Sequence, residues 1–180
     1  MIMETATLGG GCFWCLEAVY DEMEGVSSVE SGYMGGRVAN PDYHAVCTGE
    51  TGHVEVVQVT FDPEVTSYRE ILEVFFAIHD PTSMDRQGND AGTQYRSVIF
   101  THSEQQREMA HQLIAELDGA GLSSRPIVTK VLPAATFYEA EEYHQEYFKN
   151  NPQQGYCAFV VAPKLKKFRE KFAEKRRKGA

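Results

Sequence analysis

The chain lacks several features that define large classes of proteins. Its 180 residues include only four cysteines and one tryptophan, and no apolar run is long enough to span a bilayer. The first eight residues lack the basic start and the long apolar stretch of a secretory signal. We therefore expect a cytoplasmic, monomeric protein without a membrane partner, whose cysteines serve redox chemistry or catalysis rather than a disulfide scaffold.

Basic residues are scarce outside the C-terminal tail. The formal net charge is −9, but residues 163–180 alone carry +7 and the remainder carries −16. An acidic body does not attract a polyanion, so we expect no nucleic-acid partner. The tail places Leu165, Phe168 and Phe172 on one side of a helix, which favours a docked amphipathic helix with a solvated basic face. An RNA-binding or membrane-attracted tail is the alternative.

The apolar patterns predict a single domain over residues 1–180, since 42% hydrophobic residues can fill one sizeable core. The order strand, helix, strand, strand, helix, strand matches the split βαβ, ferredoxin-like arrangement. We predict an α+β fold with helices packed on a mixed sheet and an irregular C-terminal extension. The predicted strands are 6–9, 26–33, 54–61, 95–101 and 127–132, and the predicted helices are 13–24, one capped by Ser67, one from Ser103 to Leu117, and 138–148.

The most informative stretch is Gly9-Gly10-Gly11-Cys12-Phe13-Trp14-Cys15, where a strand ends and a helix begins. Unsatisfied N–H groups at a helix start carry partial positive charge, which favours the thiolate form of a cysteine placed there. We interpret Cys12 as a nucleophile, with Phe13 and Trp14 as an apolar wall of its pocket. The alternative is a buried junction in which the cysteine behaves as a small hydrophobe.

Glu55 lies at the head of a predicted strand, in the same phase as the apolar residues Val57, Val59 and Phe61. A carboxylate in a core-facing row is costly unless it is protonated or hydrogen-bonded. Desolvation raises its pKa and makes it a proton donor near neutral pH. The simpler alternative is that the strand end reaches water and Glu55 is solvated.

Three further polar residues lie in the two long loops, at 37–53 and 82–94, or just after them. The phenols of Tyr43 and Tyr95 can hold an oxygen atom without becoming charged, although a loop tyrosine also serves as a half-buried packing residue. Asp90 fits either a binding role or an ordinary turn.

The remaining cysteines leave several possibilities open. Cys12 and Cys15 have the spacing of a thioredoxin-type dithiol, but there is no second cysteine pair and no histidine pair at ligand spacing, so we expect no metal. Cys157 lies in a late, loop-rich region and could reach another thiol if that region moves, or it could be an inert buried thiol. Cys47 fits a structural role, and His144, on the predicted helix 138–148, is interpreted as structural or solvated.

Six ordered motifs extend over nearly the whole chain, from about Leu8 to Phe172. They are Gly11-Cys12-Phe13-Trp14-Cys15, Gly32-Tyr33-Met34-Gly35-Gly36, Tyr43 followed by Val46-Cys47-Thr48-Gly49, Gly52-His53-Val54-Glu55-Val56-Val57, Asn89-Asp90-Ala91-Gly92-Thr93-Gln94-Tyr95-Arg96-Ser97, and Tyr143-His144-Gln145 with Asn151-Pro152. Together they resemble the A-type peptide methionine sulfoxide reductases.

The resemblance implies reduction of the S epimer of methionine sulfoxide, free or in proteins. It implies that Cys12 attacks the sulfoxide sulfur and becomes a sulfenic acid. Glu55 then protonates the departing oxygen, which Tyr43 and Tyr95 hold. By the same resemblance Phe13 and Trp14 receive the substrate methyl group, and Asp90 helps to bind the substrate.

The resemblance also implies recycling through an intramolecular disulfide that thioredoxin or another dithiol reduces, with no bound cofactor. Many family members have two resolving cysteines near the C-terminus, whereas only Cys157 is present here. We expect Cys157 to be the resolving thiol and keep Cys15 as the alternative. Two alternative functions remain: a general dithiol–disulfide oxidoreductase that uses Cys12 and Cys15, and a basic-tailed RNA-binding module.

Overall fold

The secondary structure follows the apolar patterns of the chain at most positions. The computed structural model describes residues 2–121 and 124–177, so the last three residues of the predicted tail lie outside the described part. Its strands are β1 (Glu4–Gly9), β2 (Val26–Met34), β3 (Val54–Phe61), β4 (Arg86–Gln87), β5 (Asp90–Ala91), β6 (Val98–Thr101), β7 (Lys130–Pro133) and β8 (Tyr138–Glu139). Its α-helices are α1 (Phe13–Tyr20), α2 (Tyr43–Cys47), α3 (Tyr68–Ile78), α4 (Glu104–Gly119), α5 (Tyr147–Asn150) and α6 (Ala162–Lys171).

The main sheet has the strand order β7-β6-β1-β3-β2-β8. Its four central strands, β6, β1, β3 and β2, pair antiparallel in the order of a ferredoxin-like fold, whereas β7 adds to β6 in parallel. The prediction of a mixed sheet on a split βαβ core is therefore confirmed. The arrangement brings the C-terminal end of β1 beside the N-terminal ends of β3 and β6, so the loops that carry the candidate residues meet at one edge.

The helices cover one face of this sheet. The side chains of Val57, Val59 and Phe61 on β3 face the core that α1 and α3 share, whereas Val54 and Val56 face a smaller cluster on the opposite side. Helix α6 packs against α1 and α3 through three buried side chains, as the amphipathic pattern predicts: Leu165, Phe168 and Phe172.

Two helix starts confirm the capping predictions. The hydroxyl of Ser67 accepts the N–H of Glu70, and that of Ser103 accepts the N–H of Gln106, both at 3.1 Å. Helix α1 ends at Tyr20 rather than at residue 24, and the chain then turns through Gly25, whose φ is +90°. A glycine suits this left-handed conformation because it has no Cβ.

The prediction of a helix over residues 138–148 is wrong. The segment begins as the edge strand β8, passes through a 3₁₀ turn at Glu142–His144, and becomes helical only at α5. Glu146 interrupts the helix with a φ of +52°. The Gln145 amide exchanges hydrogen bonds with the backbone of Ser31 on β2, so contacts with the sheet replace the bonds of a continuous helix.

No helix in the described ranges is long and apolar enough to cross a membrane.

Candidate active site

Close packing at the end of β1 requires the three glycines. A Cβ on Gly9 would lie 2.6 Å from a methyl of Val54, and one on Gly10 would lie 2.8 Å from the ring of His79. Gly11 has a φ of +85°, and its N–H donates to the carbonyl of Tyr95 at 3.1 Å. The chain can therefore pass between β3 and the neighbouring loops and place Cys12 at the start of α1.

Cys12 occupies the N-cap position of α1, and its side chain is almost buried. Burial raises the pKa of its thiol well above the usual value, and the charges of Glu55 and Cys15 raise it further, whereas the backbone N–H of Trp14 lowers it. The expectation that the helix start favours the thiolate is therefore wrong, because desolvation outweighs the helix N–H groups. The thiol is protonated at neutral pH.

Glu55 lies beside this thiol with only 1% of its surface exposed. One carboxyl oxygen accepts the backbone N–H of Phe13 at 3.1 Å, whereas the other is buried and has no hydrogen-bond partner among the described residues. Burial raises the pKa of Glu55 to about 8, although the Phe13 N–H lowers it. The carboxyl group is thus neutral at pH 7 and can donate a proton at the end of a core-facing row, and the solvated alternative is excluded.

Tyr43 and Tyr95 come from separate loops, and both are half-buried. Burial raises the pKa of each phenol, and the charge of Glu55 raises both further, so each hydroxyl stays protonated as a donor. Asp90 belongs to the same group, since its charge contributes to the raised pKa of Glu55 and of Cys12. The structure therefore brings both tyrosines and Asp90 to the Cys12 and Glu55 pair.

The two aromatic residues after Cys12 differ in position. Phe13 is fully buried, with its ring 6.5 Å from that of Tyr43, so it supports the site from behind. Trp14 is half-buried and stacks on Tyr147 at 3.8 Å with an interplanar angle of 8°. Its indole N–H donates to Nδ1 of His144 at 3.1 Å. Trp14 is thus the aromatic side chain of this pair that is open to a bound molecule.

The other cysteines lie at different distances from solvent. Cys15 and Cys157 are buried, and the charge of Cys157 contributes to the raised pKa of the Cys15 thiol, whereas Cys47 is exposed. Burial raises the pKa of both buried thiols. Cys157 lies in a π-helical turn, Cys157–Val161, that leads into α6. Such turns are rare and are often found at functional sites.

The structure adds four residues to the site that sequence reasoning missed. His144 and Tyr147 fix the indole of Trp14. The hydroxyl of Tyr156 donates a hydrogen bond to Asp90 and lies 3.9 Å from the sulfur of Cys15. Glu141 accepts a hydrogen bond from the backbone N–H of Tyr43. His144 is buried rather than solvated. The motif Tyr143-His144-Gln145 was a usable signal, but the wrong helix prediction hid the direction of these side chains.

No group of three or more His, Cys, Asp or Glu side chains is placed to hold a metal ion within residues 2–121 and 124–177.

Comparisons with known proteins agree with this geometry. The peptide methionine sulfoxide reductase family model matches residues 4–176. A peptide methionine sulfoxide reductase MsrA of Polynucleobacter asymbioticus is 59% identical over 170 residues, which cover 94% of this chain and 90% of the relative.

Two solved structures of Mxr1 from Saccharomyces cerevisiae are also similar. The reduced form is 37% identical with a TM-score of 0.78, and the match covers 86% of this chain and 89% of Mxr1. The form in complex with Trx2 is 28% identical with a TM-score of 0.56, over 81% and 84% of the two chains. The chain therefore belongs to the peptide methionine sulfoxide reductase family.

Proposed function

We propose that this oxidoreductase reduces the S epimer of methionine sulfoxide, free and in proteins, with Cys12 as the nucleophile and Glu55 as the acid. The observation that carries the proposal is the buried, neutral carboxyl group of Glu55 beside a buried thiol. A sulfoxide oxygen leaves poorly unless it is protonated as negative charge develops on it. A neutral acid next to a sulfur nucleophile supplies what this step needs.

The proposed step balances as an oxygen transfer between two sulfur atoms. The Cys12 sulfur bonds to the sulfoxide sulfur while Glu55 protonates the oxygen, and the thiol proton returns to Glu55. The hydroxyl group then passes from the substrate sulfur to the Cys12 sulfur: the substrate sulfur–oxygen bond and the transient bond between the two sulfurs both break, the thioether leaves, and Cys12 becomes a sulfenic acid. The substrate sulfur gains two electrons and becomes a thioether, and the Cys12 sulfur is oxidised by two electrons.

The loops would hold the substrate for this step. The hydroxyls of Tyr43 and Tyr95 would donate to the sulfoxide oxygen, and their protonated state near Glu55 supports that role. Trp14 would receive the methyl group, with the buried Phe13 behind it and Asp90 at the edge of the pocket. The unpartnered oxygen of Glu55 supports the assignment of the proton donor.

For recycling, we propose that Cys157 condenses with the sulfenic acid and releases water as the disulfide forms. Cys157 is buried in a π-helical turn, and we propose that this turn opens to bring the two sulfurs together. Cys15 remains the alternative, because its charge contributes to the raised pKa of Cys12. The charge of Cys157 in turn contributes to the raised pKa of Cys15.

Thioredoxin is the proposed reductant of that disulfide. The complex of the relative Mxr1 with Trx2, a thioredoxin, supports this partner. Thiol–disulfide exchange with a protein dithiol needs no bound cofactor. We further propose a monomer in the cytoplasm that binds neither nucleic acid nor membranes.

The test follows both epimers of free methionine sulfoxide separately, with dithiothreitol as the reductant. We expect the S epimer to disappear and the R epimer to persist, and Cys12→Ser to abolish the loss. Equal loss of both epimers, or none, would contradict the proposal.

The resolving thiol is tested by mapping the disulfide after oxidation with one equivalent of substrate. A Cys12–Cys157 bond is expected, and thioredoxin-coupled turnover should fail in Cys157→Ser. A Cys12–Cys15 bond, or normal turnover in Cys157→Ser, would contradict the assignment of Cys157 as the resolving thiol.

A further inference from the structure

One carboxylate, that of Glu141, joins two parts of the site. One oxygen of Glu141 accepts the hydroxyl of Tyr33, and the other accepts the backbone N–H of Tyr43, each at 2.9 Å. Although burial opposes it, hydrogen bonds from the Tyr43 N–H and the Tyr33 hydroxyl keep the pKa of Glu141 below its usual value. Both oxygens of an ionised group are therefore engaged.

The backbone of Tyr43 needs such a partner. Tyr43 is the first residue of α2, which has only five residues, and the first N–H groups of a helix have no acceptor within the helix. Asp42 satisfies the N–H of Ala45 at 2.7 Å, and Glu141 satisfies that of Tyr43. Because so short a helix is not stable alone, these bonds to its first turn fix its place.

Tyr43 lies close to the reacting groups. Its ring lies 4.4 Å from that of His144, and the charge of Glu55 acts on its phenol. Tyr33, the second partner of Glu141, packs its ring 5.7 Å from that of Phe13, the residue whose N–H binds Glu55. Glu141 thus connects the backbone that carries Tyr43 to the buried aromatic residues behind Glu55.

We propose that Glu141 is a positioning residue for the reaction: by holding the Tyr43 backbone and the Tyr33 hydroxyl, it sets the distance between the Tyr43 hydroxyl and the sulfoxide oxygen. This inference rests on the proposed function, in which Tyr43 holds that oxygen. Glu141 itself touches neither the substrate nor the thiol. Its effect on the rate passes through Tyr43.

The first measurement compares Glu141→Ala, Glu141→Gln and Glu142→Gln with dithiothreitol as the reductant. Removal of both acceptors should lower kcat about tenfold, since the N–H of Tyr43 loses a charged partner. Glutamine keeps one acceptor oxygen, so we expect a smaller loss of about threefold. Glu142 is exposed, and its variant is the matched control with unchanged kcat and KM.

The second measurement separates positioning from general stabilisation by a double-mutant cycle. In a Tyr43→Phe background the hydroxyl is absent, so Glu141→Ala should cost less than about twofold in kcat if it acts through Tyr43. An undiminished tenfold loss in that background would overturn the proposal, and so would an unchanged kcat in Glu141→Ala alone.

The cycle does not depend on the alanine variant. If thermal unfolding shows that Glu141→Ala does not fold, Glu141→Gln takes its place and the same non-additivity is required. An inactive wild-type protein would refute the proposed function, whereas an active wild type with an equally active Glu141→Ala variant refutes only the role of Glu141.

Discussion

The two sides of the site are held in different ways. On the sheet side, Cys12 follows shortly after β1 and Glu55 lies at the start of β3, where the pairing of Leu8 with Val57 fixes the main chain. On the loop side, four residues lie in short helices and Asp90 lies in the two-residue strand β5; the four are Tyr43, Tyr95, His144 and Tyr156. The geometry of the sheet side is therefore set by a regular hydrogen-bonded ladder, whereas the geometry of the loop side depends on individual side-chain contacts.

The difference in support matches a difference in chemistry. The sheet side holds the buried, neutral groups, a thiol and a carboxyl, and a rigid environment is needed to keep an uncompensated acid out of water. The loop side holds hydroxyl and imidazole groups, whose hydrogen bonds can rearrange around a substrate. We infer that bond breaking depends on the sheet side and that substrate placement depends on the loop side.

The substitution Glu55→Gln should give the largest effect, because it removes the proton donor without changing the shape of the sheet side. We expect kcat to fall by roughly 10² to 10⁴, the usual contribution of a general acid. Initial rates of loss of the S epimer measure the effect.

The control for this variant is alkylation of Cys12 by iodoacetamide, to which the thiol should remain accessible. Normal sulfoxide turnover in Glu55→Gln would favour a general dithiol–disulfide oxidoreductase that uses Cys12 and Cys15, because that reaction needs no acid.

The second prediction concerns stability against pH. Burial raises the pKa of Glu55 and Glu17 to about 8, so the folded protein binds more protons than the unfolded chain between their unfolded and folded pKa values. The free energy of unfolding should then fall with rising pH, by at most about 1.4 kcal/mol per pH unit for each group. The pKa values of His79, His102 and His144 are lowered by burial, which has the opposite effect below about pH 7.5, where these histidines still bind protons in the unfolded chain.

The useful window therefore lies between about pH 7.5 and 8, where these histidines are almost entirely neutral in both states. Urea unfolding at several pH values in this window measures the slope. Glu55→Gln and Glu17→Gln should each reduce it, whereas Glu142→Gln on the loop side should not. A slope that is the same in all four proteins would show that neither buried acid is neutral in the folded state.

The same contrast explains what the sequence could predict. The phase of Glu55 with Val57 and Val59 identified a buried carboxyl group, because strand periodicity determines which side chains face the core. The glycines before Cys12 and the cap at Ser67 were likewise local signals with local consequences. The ferredoxin-like strand order followed from the sequence of elements.

The loop side was less predictable because its contacts join residues far apart in the chain. The hydrogen bond between Trp14 and His144 spans 130 residues, and that between Tyr43 and Glu141 spans 98. No local periodicity records such a pairing, and residues 138–148 even have an apolar spacing that favours a helix. The raised pKa of Cys12 was also missed, because it depends on tertiary burial rather than on the helix start.

The third prediction tests the loop side with Tyr95→Phe, which keeps the ring and removes the hydroxyl. Loss of one hydrogen bond to a developing charge should lower kcat about tenfold, well below the effect of Glu55→Gln. Tyr143→Phe is the matched control, since Tyr143 is 61% exposed and is expected to retain full activity. A loss of kcat in Tyr95→Phe as large as that in Glu55→Gln would contradict the inference that bond breaking depends on the sheet side and substrate placement on the loop side.

The smallest effect is expected from Tyr147→Leu, which removes the ring that stacks on Trp14 at 3.8 Å. An aromatic pair contributes about 0.5–1.5 kcal/mol beyond its buried area, so KM should rise about threefold to tenfold while kcat stays unchanged. Trp14 is the only tryptophan, and its fluorescence reports directly whether the indole has moved. Tyr147→Phe keeps the stack and should match the wild type in both readouts. A fall in kcat with an unmoved indole would mean that Tyr147 acts on bond breaking, and the loop side would then do more than place the substrate.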